Sequence, residues 1–142
     1  MKIHEYQAAA IFKNAGIPVP DGQVASELKE ALSLADKIGY PVVLKSQGLV
    51  GGRGKAGGIK VVKNKQEFEE KFKLIKGLSI KGYAVEKIFI VKALDIKKEI
   101  YLAITVDSLA GDVVLMASAS GGIDIEEVAH TNPDAIKKLY LN

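Results

Sequence analysis

The chain has 142 residues, 48% of them hydrophobic, and a net charge of +3, the size of one domain or two small subdomains around an ordinary globular core. No apolar run approaches the ~18–20 residues of a membrane span and no signal-type stretch follows Lys2, so no membrane partner is expected. The absence of cysteine excludes disulfides and thiolate metal sites and suits a cytoplasmic location, and lysines interleaved with acids spread the charge too evenly for an expected nucleic-acid partner.

Residues 4–15 read as a helix, with Ala8, Ile11, Phe12 and Ala15 at three- and four-residue spacing and Gly16 as its stop. Ile17-Pro18-Val19-Pro20-Asp21-Gly22 is extended and then turns. Residues 27–38 predict an amphipathic helix, capped by Ser26 and ended by Gly39. Pro41 to Lys45 is a short buried strand, and Gly58–Lys63 is another beyond a glycine-rich loop. Asn64 opens a third helix with Glu67 as its capping-box partner, and Gly77 ends it. Strands follow over Ala84–Ala93, Glu99–Asp107 and Val113–Ala117. After Gly121-Gly122 come a short helical stretch and a last helical fragment ending at Asn142. The order gives an α+β fold rather than a regular βαβα alternation. The final segment stops in mid-pattern, which reads as a piece of a longer subunit.

The loop Gly48-Leu49-Val50-Gly51-Gly52-Arg53-Gly54-Lys55-Ala56-Gly57-Gly58 holds the chain's only arginine and six of its 14 glycines. Glycine admits positive φ and close backbone approach, and backbone N–H groups beside Arg and Lys suit phosphate. The P-loop pattern fails, because Leu49 and Ala56 replace its first glycine and its hydroxyl. Gly52, Gly54 and Gly57 match G-x-G-x-x-G, but β-branched Ile59, Val61 and Val62 announce a strand where a dinucleotide fold needs a helix. Strand, glycine turn and strand instead fit a hairpin lid over nucleotide phosphates. A plain flexible hairpin tip is the competing reading, though such a tip seldom needs six glycines with Arg53 and Lys55.

Lys45 closes the strand before the loop and can aim at the same phosphates, or simply reach water. Glu99 starts its strand, where its carboxylate could pair with Lys45, accept a ribose hydroxyl or stand solvated. The strand end Val91-Lys92-Ala93-Leu94 could offer backbone groups to an adenine edge. His4 and His130 have no evident ligand partners and read as surface or capping residues.

The segments His4-Glu5-Tyr6-Gln7, Gly16 to Pro20, Gly51 to Val62, Lys98 to Leu102, and Met116-Ala117-Ser118 with Gly121-Gly122 together resemble the N-terminal part of succinyl-CoA synthetase β subunits. These are the ATP-grasp half of ADP-forming succinate–CoA ligase. The resemblance runs in order over essentially the whole chain, and GGRGKAGG is its most specific part.

It implies an ATP-grasp fold, with residues 1–19 and 96–142 in an incomplete nucleotide-binding subdomain and residues 20–95 in the lid. It implies that Lys45, Gly52, Arg53 and Gly54 hold nucleotide phosphates, that Val91 and Leu94 line the adenine, and that Glu99 binds the nucleotide through the ribose. Val91 stands where the family often has Glu, which favours a backbone role there. Pro20 leans toward adenine over guanine. The cofactors implied are ATP or ADP with Mg²⁺, whose Asn and Asp ligands lie further along in the family, so no metal-binding or catalytic residue is expected in this segment. The partner implied is an α subunit carrying CoA and the phosphohistidine, with succinate and CoA as substrates of the complete enzyme of the tricarboxylic acid cycle. The segment alone is expected to be inactive. A related acyl-CoA ligase of the malate–CoA type, and a non-catalytic anion- or nucleic-acid-binding module, are the alternatives.

Overall fold

The computed structural model describes residues 2–122 and 125–141. The chain divides into two compact units, Met1–Leu94 and Asp95–Asn142, and helix α1 (Glu5–Asn14) packs within the first.

The first unit is a four-stranded antiparallel sheet in the order β1-β6-β2-β3, formed by β1 (Gly22–Ala25), β2 (Val42–Gln47), β3 (Ile59–Val62) and β6 (Lys87–Lys92). Alternation along β2 buries Val42, Leu44 and Ser46. Register puts Val62 opposite Val42 and Ile90 opposite Leu44, so one sheet face is apolar. Helices α2 (Leu28–Ile38) and α3 (Lys65–Lys76) supply Ala31, Ala35, Phe68, Phe72 and Ile75 to the same core. Phe68 meets the Tyr40 ring edge-on at 6.3 Å and stacks on Phe72 at 6.1 Å. The Asn64 side chain accepts from the Glu67 N–H at 3.1 Å, which is the expected cap of α3. A two-stranded ribbon, β4 (Ser79–Ile80) and β5 (Tyr83–Ala84), precedes β6.

The opposite face carries Val43 and Lys45 of β2 with Phe89 and Val91 of β6. Tyr6, Ala9, Ala10 and Lys13 of α1 line a hollow against it with Phe89. Tyr6 lies 6.5 Å from the Phe89 ring, and the Tyr6 N–H donates to Gln47 Oε1 at 3.3 Å.

The second unit is an antiparallel sheet of β7 (Tyr101–Asp107), β8 (Asp112–Ser118) and β9 (Ile136–Tyr140), with α4 (Ile125–Thr131) and a 3₁₀ turn (Pro133–Ala135) between the last two strands. Asp107 shapes the β7–β8 turn: its Oδ1 accepts from the Leu109 and Ala110 N–H groups, and its Oδ2 accepts from the Tyr140 hydroxyl at 2.9 Å.

The structure corrects several sequence expectations. The C-terminal fragment is strand β9, not helix: Ile136, Leu139 and Tyr140 have helical spacing, but five residues pair with β8, and that ladder overrides local pattern. Gly22–Ala25 is a strand where the sequence suggested only a turn after an extended run ending at Gly22, because it pairs with Ile88–Val91. Helix α2 is preceded by Glu27, and no side chain caps it, so Ser26 does not serve. The strand expected over Ala84–Ala93 is broken between β5 and β6, and β2 runs on to Gln47. The apolar face expected of α1 is unburied, with Ile11 and Phe12 about half exposed. Part of the helical stretch expected after Gly122, and the last residue of the C-terminal fragment, lie outside the described residues.

Candidate nucleotide-phosphate site

The loop between β2 and β3 is a closed structure rather than an open tip. The Ser46 N–H donates to Gly58 O at 2.7 Å, and the Gly58 N–H donates to Arg53 O at 2.8 Å. Inside that frame the Ala56 N–H reaches Gly52 O and the Gly57 N–H reaches Gly54 O, both at 3.0 Å. Gly52 and Gly57 have φ of 79° and 78°, the left-handed region that an L side chain resists. Gly58 answers a different need: a Cβ there would collide with the buried Ser46 hydroxyl and press on Arg53 O.

Arg53 does not point to solvent. One terminal nitrogen donates to Ser46 O at 2.6 Å and the other to Glu5 Oε2 at 2.8 Å. Lys45 Nζ donates to Glu5 Oε1 at 2.7 Å. One carboxylate therefore bridges the two cations, each oxygen taking one of them. The three side chains are mostly buried, 22% exposed for Arg53 and 29% for Lys45 and Glu5. Burial alone would raise the Glu5 pKa, but the hydrogen bonds and charges of Lys45 and Arg53 outweigh it and hold the carboxyl below its ordinary value. A hollow of about 380 Å³ opens over Glu5 and Arg53, walled by Lys2, Ile3 and residues 48–51 of the loop.

Lys45 and Arg53 meet through Glu5, and Gly52 and Gly54 flank Arg53 within the closed loop. Sequence reasoning missed Glu5 because contacts across 40 and 48 residues leave no trace in spacing. The carboxylate partner of Lys45 is Glu5, where Glu99 had been the candidate.

Val91 is buried on the Lys45 face, opposite Val43 on one side and Gly22 on the other. Gly22 has no room for a Cβ, which would press on Val91, Phe89 and Ile90 O. Leu94, just past the end of β6, is 59% exposed. Lys45 and Val43 share this sheet face with Phe89 and Val91, which are both buried.

Glu99 belongs to the second unit, ahead of β7. The Gly121 N–H donates to Glu99 O at 3.3 Å, and a Cβ at Gly122 would strike the Glu99 carboxylate. The Gly121-Gly122 turn therefore seats Glu99, a link invisible in the linear sequence. Among the described residues, no three His, Asp or Glu side chains converge in a way that could hold a metal ion.

Residues 2–142 match the ATP-grasp domain family. The chain is 48% identical over its whole length to the β subunit of ADP-forming succinate–CoA ligase from Halorubrum lacusprofundi, and 49% identical to that from Natronomonas pharaonis. It spans 37% of the length of each of these relatives. Among solved structures, PH1788 from Pyrococcus horikoshii superposes with a TM-score of 0.76 at 26% identity, over 99% of this chain and 60% of that one. The four-stranded antiparallel sheet, the arginine-bearing glycine loop between β2 and β3 and these matches agree: the chain belongs to the ATP-grasp domain family.

Proposed function

We propose that this chain grips nucleotide phosphates as part of a succinate–CoA ligase (ADP-forming) β subunit. The placement of Lys45 and Arg53 side by side next to the glycine loop carries the reading, since it sets two cations at one edge of a backbone turn suited to phosphate. The names of the closely similar relatives support the enzyme class.

In the complete enzyme the reaction interconverts succinyl-CoA, ADP and phosphate with succinate, CoA and ATP. The nucleotide, with its Mg²⁺, supplies or accepts the phosphoryl group, and residues outside this chain hold the metal. An α subunit is the partner that brings CoA and the phosphohistidine. The work of this chain is positioning and charge neutralisation. Lys45 acts as a point charge, and Arg53 offers a planar fork of donors that suits phosphate oxygens. The closed loop keeps its backbone shape before ligand arrives, which lowers the ordering cost of binding. Val91, through its backbone, and Leu94 line the adenine, and Glu99 takes the ribose. In the whole subunit, residues 20–95 serve as the lid, and residues 1–19 with 96–142 belong to the companion subdomain.

Calorimetric titration with MgADP, MgATP and tripolyphosphate tests this. Saturable binding that prefers the nucleotides is expected. Lys45→Ala or Arg53→Ala should weaken it at least tenfold, about 1.4 kcal/mol. Equal affinity for plain tripolyphosphate, or indifference to both substitutions, would sink the assignment and favour a general anion-binding module.

A further inference from the structure

We infer that Glu5 is a positioning residue of the phosphate site: its carboxylate fixes Lys45 and Arg53 side by side and ties the glycine loop to helix α1. The inference rests on the nucleotide reading given above.

Two cations brought this close repel one another and, left alone, swing apart into water. Glu5 prevents this by giving one oxygen to each, at 2.7 Å to Lys45 and 2.8 Å to Arg53. Its own place is set by the first turn of α1, where the Tyr6 N–H is bonded to Gln47 Oε1 of β2. The Arg53 fork is fixed from the other side by Ser46 O. Both ends of the Glu5–Arg53 link therefore rest on β2.

Donor counting shows that the bridge leaves room for ligand. Lysine has three N–H donors and arginine five. Glu5 takes one from each residue and Ser46 takes a second from Arg53. The remaining Arg53 donors border the hollow that Glu5 and Arg53 both line.

Two effects of Glu5 oppose each other. Its negative charge repels phosphate, while its bridge removes the need to order two long side chains at the moment of binding. Glu5 retains 29% exposure, so solvent weakens the repulsion, and its charge is already matched by two cations. Ordering therefore wins, and removing the charge should weaken binding. A carboxylate that merely filled the site until phosphate displaced it would give the opposite sign.

The test compares the wild-type chain with Glu5→Gln and Glu5→Asp. MgADP affinity should fall at least fivefold in Glu5→Gln and recover in part in Glu5→Asp. In an Arg53→Met background, Glu5→Gln should change affinity less than twofold. Unchanged or tighter MgADP binding in Glu5→Gln overturns the inference. Amide exchange supplies a readout that needs no nucleotide. Ala56, Gly57 and Gly58 should exchange at least tenfold faster in Glu5→Gln, while the β2–β6 ladder keeps its protection and so reports an intact fold. Unchanged loop exchange also overturns the inference. If wild type ignores MgADP but the loop loosens in Glu5→Gln, the nucleotide reading has failed and the bridging role of Glu5 has survived.

Discussion

The two units solve the same packing problem to different degrees. In the first, two helices cover one face of the sheet, and Leu44, Val62, Phe68, Ile75, Ile88 and Ile90 have no solvent exposure. In the second, Leu102, Ile104 and Val106 alternate along β7 on one face, yet each stays 65–68% exposed. Val113 of β8 and Leu139 of β9 extend that apolar strip by register. Both sheets carry the same period-two pattern, so the pattern alone does not create a core; a covering layer does. Burial supports most of the first unit, whereas among the described residues of the second only Val114 and Val128 are buried hydrophobics, leaving more to its ladder hydrogen bonds and turn.

Substitutions should expose that contrast, the largest effect falling inside the first unit. Phe68→Ala removes a fully buried ring from between Tyr40 and Phe72 and should cost about 3–5 kcal/mol in urea unfolding. A loss under about 1 kcal/mol would mean that the first core is no tighter than the second unit.

A smaller effect concerns pH. The Glu5 carboxyl titrates below its ordinary value of 4.5 in the folded state, so its bridge stabilises the fold above that pH and is lost as pH falls through the lower folded value. Wild type should exceed Glu5→Gln by about 1 kcal/mol near neutrality, the scale of a partly exposed pair. The difference should shrink steadily below pH 4.5. A gap that persists at the acid end would assign the effect to packing rather than charge.

The smallest effect is expected on the open face of the second unit. Ile104→Thr keeps a β-branched strand former at a position already 68% exposed and should stay within about 0.5 kcal/mol of wild type. A loss approaching that of Phe68→Ala would show that this face is covered in solution, and the contrast between the units would dissolve.

What could be read from the sequence was what neighbouring residues decide. The α3 cap needs only Asn64 and Glu67, three residues apart, and the structure has it. The alternation that buries Val42, Leu44 and Ser46 is carried by β2 itself. The loop's glycines, of which Gly52 and Gly57 do take positive φ, and its lone guanidinium are visible in the sequence itself. Apart from the Ser26 cap, the main failures are non-local. The segment 136–140 has helical spacing, and only its pairing with β8 makes it a strand. Gly22–Ala25 is a strand only because β6 lies beside it. Glu5 joins the site because folding places α1 over the end of β2, and no motif spacing encodes that meeting.

The solitary guanidinium has a practical corollary. With Arg53 as the chain's one arginine, an arginine-selective dicarbonyl reagent has a single guanidinium to modify, so its labelling rate at that residue gauges how often the side chain leaves Glu5 and Ser46 for the surface.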